Sequence, residues 1–196
     1  MILPVIAYGD PVLRKQAEPI TSEYPKLSEL IANMWETMYH ASGVGLAAPQ
    51  IGLPIRLFVI DGSPFGEDED LPEAERNQLK NFKRVFINAT IESETGKSWV
   101  FNEGCLSIPD IREDVTRMDT VTLRYLDENF KEHTEVYDGL QARIIQHEYD
   151  HIEGVLFTDK LSSLKKRLLK GRLADISKGK IKVDYKMRFP EVRGRR

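Results

Sequence analysis

Asp138-Gly139-Leu140-Gln141-Ala142-Arg143-Ile144-Ile145-Gln146-His147-Glu148-Tyr149-Asp150-His151-Ile152-Glu153-Gly154 is the stretch around which the rest of this chain must fold. Asp138 can cap a helix by accepting from its free backbone amides, and Gly154 can close one. The spacing predicts a helix over about 139–153. Ile144, Ile145 and Ile152 flank its polar residues, so the helix is expected to be buried. His147 and His151 stand four apart and share a face. Both imidazoles can therefore reach one metal ion, and Glu148 can hold a metal-bound water or its proton. With 4 His in 196 residues, chance supplies about 0.007 such H-E-x-x-H matches.

Outward from this helix, the pattern is one of short strands. Residues 55–60, 85–92, 97–102 and 120–126 read as strands, the last alternating cleanly and turning at Asp127-Glu128-Asn129 into 131–136. A second amphipathic helix is expected over 22–41, with Leu27, Leu30, Ile31, Met34 and Met38 on one face, Thr21 or Ser22 as cap and Gly43 as stop. Residues 43–52 are small and Gly-bounded and read as a loop. Residues 61–81 are acidic and read as an inserted loop with a short helix after Pro72. A last, basic helix starts at Ser162 or Ser163 and runs to about Ile176. Strands outnumber helices and mostly join by short turns. The expected class is α+β, with antiparallel sheets packed around a central helix carrying H-E-x-x-H, an N-terminal helix and a C-terminal basic helix.

Length and composition set the outer limits. A chain of 196 residues and 22.5 kDa is one domain, with ordinary hydrophobic (41%) and charged (30%) fractions, and can bury a core without disulfides. The 13 Gly and 10 Pro exclude a collagen-like or low-complexity chain. No apolar run approaches the ~20 residues of a membrane span, and the first residues lack the basic start of a secretory leader. A single Cys fits a reducing, cytoplasmic compartment. Charge is segregated: residues 160–196 hold 14 Lys and Arg against Asp175, Asp184 and Glu191, whereas residues 1–159 hold 14 against 28 acidic residues. That asymmetry fits an anionic partner such as a ribosome surface, the alternative being a solvated helix and tail.

Two histidines leave a hydrolytic site one protein ligand short. His40 and His133 are candidates, but His133 lies in a polar hairpin strand and His40 ends an amphipathic helix. Cys105, in Glu103-Gly104-Cys105-Leu106-Ser107-Ile108-Pro109, is the stronger candidate, although a Cys beside Leu and Ile is more often a small buried hydrophobe. A zinc peptidase would share H-E-x-x-H and take a carboxylate or His as third ligand. A structural metal in an RNA-binding protein would need a fourth ligand, and there is no second Cys.

Three motifs in one order decide among these. Gly43-Val44-Gly45-Leu46-Ala47-Ala48-Pro49-Gln50, Glu103-Gly104-Cys105-Leu106-Ser107 and Gln146-His147-Glu148-Tyr149-Asp150-His151 together resemble peptide deformylase, as does the opening Gly9-Asp10-Pro11-Val12-Leu13-Arg14. The resemblance spans roughly residues 3–170. It implies hydrolytic removal of the N-formyl group from the initiator methionine of new polypeptides by a metal-bound water. It also implies one divalent ion held by Cys105, His147 and His151, Fe²⁺ by preference, with Zn²⁺, Ni²⁺ or Co²⁺ also accepted. Glu148 would carry the proton, and Gln50 and the Leu106 N–H would face the developing oxyanion. Gly43, Val44, Gly45, Gly104, Leu140, Ile144 and Arg112 are expected to bind substrate, Gly45 by letting the formyl group lie close to the backbone. Arg112 or Arg117 is expected to pair with Glu103. The division expected is a catalytic domain over 1–170 with an acidic insertion at about 62–80, then a basic extension over 171–196 docking at the ribosome near the exit tunnel. No membrane or DNA partner is expected.

Overall fold

A computed structural model describes residues 1–190. Its centre is a five-stranded antiparallel sheet, in spatial order β2 (Gly45–Ala47), β3 (Leu57–Asp61), β4 (Lys83–Cys105), β5 (Ile108–Leu126) and β6 (Glu132–Asp138). Helix α1 (Leu27–His40) covers one face and α3 (Gly139–Ile152) the other. The two-residue repeat of a strand explains the three layers. Leu57 and Val59 of β3, with Val85 and Ile87 of β4, pack with Met34 and Met38 of α1. Phe58, Ile60 and Phe86, one residue out of phase, pack with Ile144 and Ile145 of α3. All five residues of β3 are consequently buried.

The long strands were only partly foreseen. β4 runs unbroken through both of its expected pieces. β5 begins at Ile108, twelve residues before the expected start. Over 97–119 the two strands form a ribbon whose buried positions include the charged Glu103 and Arg117, so the sequence there lacks the apolar-polar alternation that marks a strand. The ribbon turns tightly, Cys105 pairing with Ile108 across Leu106 and Ser107. Cys105 therefore sits at its tip.

Helix ends also differ from expectation. α1 starts at Leu27 rather than near Ser22, because Pro25 and a turn closed by Tyr24 N–H to the Thr21 carbonyl (3.0 Å) interrupt the chain first. Residues 43–52 contain β2 and a 3-10 turn, Ala48–Ile51, rather than an unstructured loop. Asp138 precedes α3 but makes no side-chain cap. The Leu140 N–H instead donates to Glu75 Oε1 (3.0 Å), from α2 (Glu73–Lys80) in the acidic insertion. That helix after Pro72 is as expected.

Helix α4 (Ser163–Ser177) is capped by Ser162 Oγ, as expected, and runs across residue 170, where an extension was expected to begin. Its Leu169, Leu173 and Ile176 are buried in a third cluster with Ile6, Ile108 and Phe157. The chain then returns: β7 (Met187–Arg188) pairs in parallel with β1 (Val5–Ile6), tying the end of the described chain to its start. Arg193, Arg195 and Arg196, part of the expected basic extension, lie outside the described residues.

Candidate metal centre

α3 presents His147 and His151 one turn apart, their ring centroids 5.2 Å from each other. The β4–β5 tip brings Cys105 to them, with Sγ 3.3 Å from His151 Nε2. One ligand atom from each of Cys105, His147 and His151 lies within 4.8 Å of the others, and this is the only such three-residue group among the described residues. Tetrahedral N and S donors at roughly 2.0–2.3 Å from an ion stand about 3.3–3.8 Å apart, and the Cys105–His151 pair already has that separation. The donors therefore fit one divalent ion, on geometry and on chemistry. His133, by contrast, bonds Asp127 (2.8 Å) on the distant hairpin, and His40 lines the groove outside the donor group.

The second nitrogen of His147 is also fixed. Nδ1 donates to Glu103 Oε2 (3.0 Å), leaving Nε2 to face a metal. Glu103 is buried and accepts from Arg117 Nε (2.7 Å), Arg117 Nη2 (2.9 Å) and Arg143 Nη1 (2.8 Å). Burial works against its charge, but hydrogen bonds from Arg117 and His147 outweigh it and hold the carboxyl well below the usual carboxylate range. Arg117 continues the network to Asp150 Oδ2 (2.7 Å). Of the two arginines expected beside Glu103, Arg117 makes the pair. Arg112 turns back to Asn102 Oδ1 (3.0 Å) and meets the groove only as a lining residue.

Glu148 is buried, and its Oε2 has no hydrogen-bond partner. Burial pushes its carboxyl up to about 7, against the opposing charge of His147. Such a group exchanges a proton near neutral pH. Burial holds His151 well below the ordinary imidazole value, which keeps it neutral and able to ligate. Gln50 is buried, its Oε1 accepting from the Ala47 N–H (2.8 Å) while Nε2 reaches Cys105 Sγ (3.4 Å) and Ser107 Oγ (3.3 Å). Its amide donor thus faces the Cys tip.

A groove of about 730 Å³ opens beside these groups. Gly43, Val44, Gly45, Gly104, Ile144 and Arg112, among the residues expected to bind substrate, line it. Leu140, also expected there, is buried at the N-terminus of α3 and is not among the lining residues. The close approach at Gly45 also serves a protein group. A Cβ there would run into the Glu148 carboxylate, so the missing side chain makes room for Glu148 itself.

Several lining groups were not anticipated. Phe65 enters from the acidic insertion and Phe101 from β4. Arg143 is buried, donating to Glu103 and to the Trp99 carbonyl (2.9 Å), its guanidinium 4.5 Å from the Trp99 ring centroid. Its signal was present: a charge four residues before His147 on a helix expected to be buried demands a buried counterion. Residues 182–185 also line the groove, and no local pattern placed them there.

Comparison with known proteins points to one family. The polypeptide deformylase family model matches residues 2–167. The chain is 66% identical over 193 residues to a peptide deformylase of Christiangramia forsetii, covering 98% of each chain, and 66% identical over 189 residues to one of Flavobacterium johnsoniae, covering 96% of each. Among solved structures it is similar to a peptide deformylase from Legionella pneumophila, with a TM-score of 0.76 and 37% identity over 92% of this chain and 98% of that one.

Proposed function

The chain belongs to the peptide deformylase family, and from this we propose an assignment of roles within its metal-dependent hydrolysis of the N-formyl group of nascent polypeptides. Cys105, His147 and His151 hold one divalent ion, Fe²⁺ in the cell. The observation that carries this is the meeting of one thiol and two imidazoles, within 4.8 Å of one another, beside a buried carboxylate with an unpartnered oxygen. When bound, the ion supplies Lewis acidity that lowers the pKa of water in its open position.

The remaining steps belong to protein groups. Glu148 takes a proton from the attacking water at Oε2 and delivers it to the leaving amine. The formyl carbon becomes tetrahedral, and its oxygen gains charge that Gln50 Nε2 and the Leu106 N–H stabilise. Such preorganised donors contribute about 3–4 kcal/mol each to lowering a barrier. Gly43, Val44, Gly45, Gly104, Leu140 and Ile144 hold the formyl-methionine against the groove floor, with Arg112 at its rim.

The outer face of α4 is assigned to the ribosome. Lys166, Arg167 and Lys170 are exposed beside Leu164 (55%) and Leu168 (71%), a cationic face with an apolar ridge suited to a phosphate-rich surface. No helix of the described residues is long and apolar enough to cross a membrane. The cytoplasm, where new polypeptides emerge from the ribosome, is the proposed site of action. The catalytic unit comprises residues 1–170 with the insertion at 62–80, and residues 171–196 form the basic extension, the ribosome-facing surface of α4 running across that boundary. Anaerobic purification with metal analysis, joined to an assay on formyl-Met-Ala-Ser, tests the roles together. Iron at one equivalent with turnover is expected. Turnover without any transition metal would overturn the assignment.

A further inference from the structure

The tip of the β4–β5 ribbon has two carbonyls, and each is held by a different end of the chain. The Ser107 carbonyl accepts from the Tyr8 N–H (2.8 Å), next to β1. The Leu106 carbonyl accepts from Tyr185 Oη (2.7 Å), two residues before β7. β1 and β7 pair with each other, through Val5 N–H to the Lys186 carbonyl (2.8 Å) and Ala7 N–H to the Arg188 carbonyl (2.9 Å). Met187 and Phe189 pack on the third hydrophobic cluster. With Ile181 packed on the same cluster, the returning segment is anchored on both sides of Tyr185, and the anchor bears on the residue assigned the oxyanion N–H.

Between α4 and that anchor, residues 182–185 border the same groove as the metal donors. Their burial alternates: Val183 and Tyr185 are half-buried, while Lys182 and Asp184 are exposed. Among the described residues, no backbone hydrogen bond engages residues 181–185. An anchored segment with uncommitted amides, carbonyls and two charged side chains on a substrate groove has the chemistry of a peptide-binding wall.

We propose that residues 182–185 form part of the substrate site, contacting the peptide beyond its formyl-methionine, and that Tyr185 is a positioning residue that sets Leu106 through the ribbon tip. This rests on the deformylase reading. It places a determinant of sequence preference after residue 170, beyond all three active-site motifs. Exposed Lys182 and Asp184 read charge on the peptide; half-buried Tyr185 acts through the protein.

The test uses the full metal-loaded chain and two peptides, formyl-Met-Ala-Lys-Ala and formyl-Met-Ala-Glu-Ala. For wild type, Asp184→Lys and Tyr185→Phe, it measures kcat, KM, metal content and melting temperature. It also measures calorimetric binding of the unformylated products, which needs no turnover. Asp184 is exposed, so its reversal leaves the fold intact. Asp184→Lys is expected to raise the ratio of kcat/KM for the Glu peptide over the Lys peptide about three- to tenfold, with product affinities shifting the same way. Tyr185→Phe is expected to lower kcat on both peptides about fivefold, the worth of one hydrogen bond, while KM and metal content hold. A role confined to stability would lower the melting temperature and leave kcat of the folded enzyme unchanged. Wild-type kcat in Tyr185→Phe overturns the positioning role, and ratios unmoved by Asp184→Lys overturn the wall. A wild type that leaves both formyl peptides intact overturns the deformylase reading instead.

Discussion

Glu148 illustrates how one residue's setting determines its chemistry. It is buried, it lacks a partner for Oε2, and Gly45 yields the space its carboxylate occupies. A carboxylate that moves protons without ligating should be separable from the metal. Glu148→Ala is expected to reduce deformylation about a hundred- to ten-thousandfold while the ion stays bound. Metal analysis beside the assay checks it; loss of the ion together with activity would make Glu148 a ligand or a folding residue. Cys105 should behave in the opposite way. A hydroxyl is a poor ligand at neutral pH, so Cys105→Ser is expected to lose metal affinity and turnover together. A Ser variant with full metal content and a normal rate would remove Cys105 from the ion's ligands.

Individual elements give the acidic insertion and the basic helix their structural parts. The acidic insertion caps the catalytic helix: Glu75 accepts from the Leu140 N–H, where Asp138 does not, and its negative charge sits at the positive end of α3. Glu75→Ala is expected to destabilise the protein by about 1 kcal/mol, seen as a fall in melting temperature of roughly 2–4 °C. An unchanged melting temperature would mean the amide is as well served by water. α4 has an inner and an outer face. Truncation within it would expose the core, because Leu169, Leu173 and Ile176 are buried. Substitution on its outer face is the cleaner probe of ribosome contact. Lys166→Glu with Arg167→Glu and Lys170→Glu should weaken ribosome co-sedimentation steeply with salt, while turnover of formyl-Met-Ala-Ser and the melting temperature hold. Equal co-sedimentation at physiological salt would refute the docking role.

Across the whole molecule, the donor set bridges separate parts of the fold. Cys105 arrives at the end of β4 and the histidines lie on α3. An ion held by both layers binds the folded chain and not the unfolded one, so it stabilises by mass action. Removing it with a chelator should lower the melting temperature of the wild type and leave that of Cys105→Ser nearly unchanged. Equal shifts in both proteins would place the stabilising ion elsewhere. The same closure joins the two ends of the described chain, since β1 and β7 pair and each end holds one carbonyl of the Cys tip.

Read without coordinates, the chain already discloses its central helix, because H-E-x-x-H and the flanking isoleucines are a local pattern of period 3.6. The α+β class, the helix after Pro72, the Ser162 cap and the three motifs were legible for the same reason: each lies within a few consecutive residues. The ribbon was not, since its buried positions include the charged Glu103 and Arg117 and so hide the apolar alternation of a strand. Nor were the contacts that complete the site. Cys105 meets His151 across 46 residues, and Tyr185 meets Leu106 across 79. Whether Arg117 or Arg112 pairs with Glu103, and whether Asp138 or Glu75 serves α3, depends on strand register and on how layers pack. Those are properties of the assembled chain, because side chains of like charge and size compete equally in sequence and only the folded geometry brings one of them within hydrogen-bond reach.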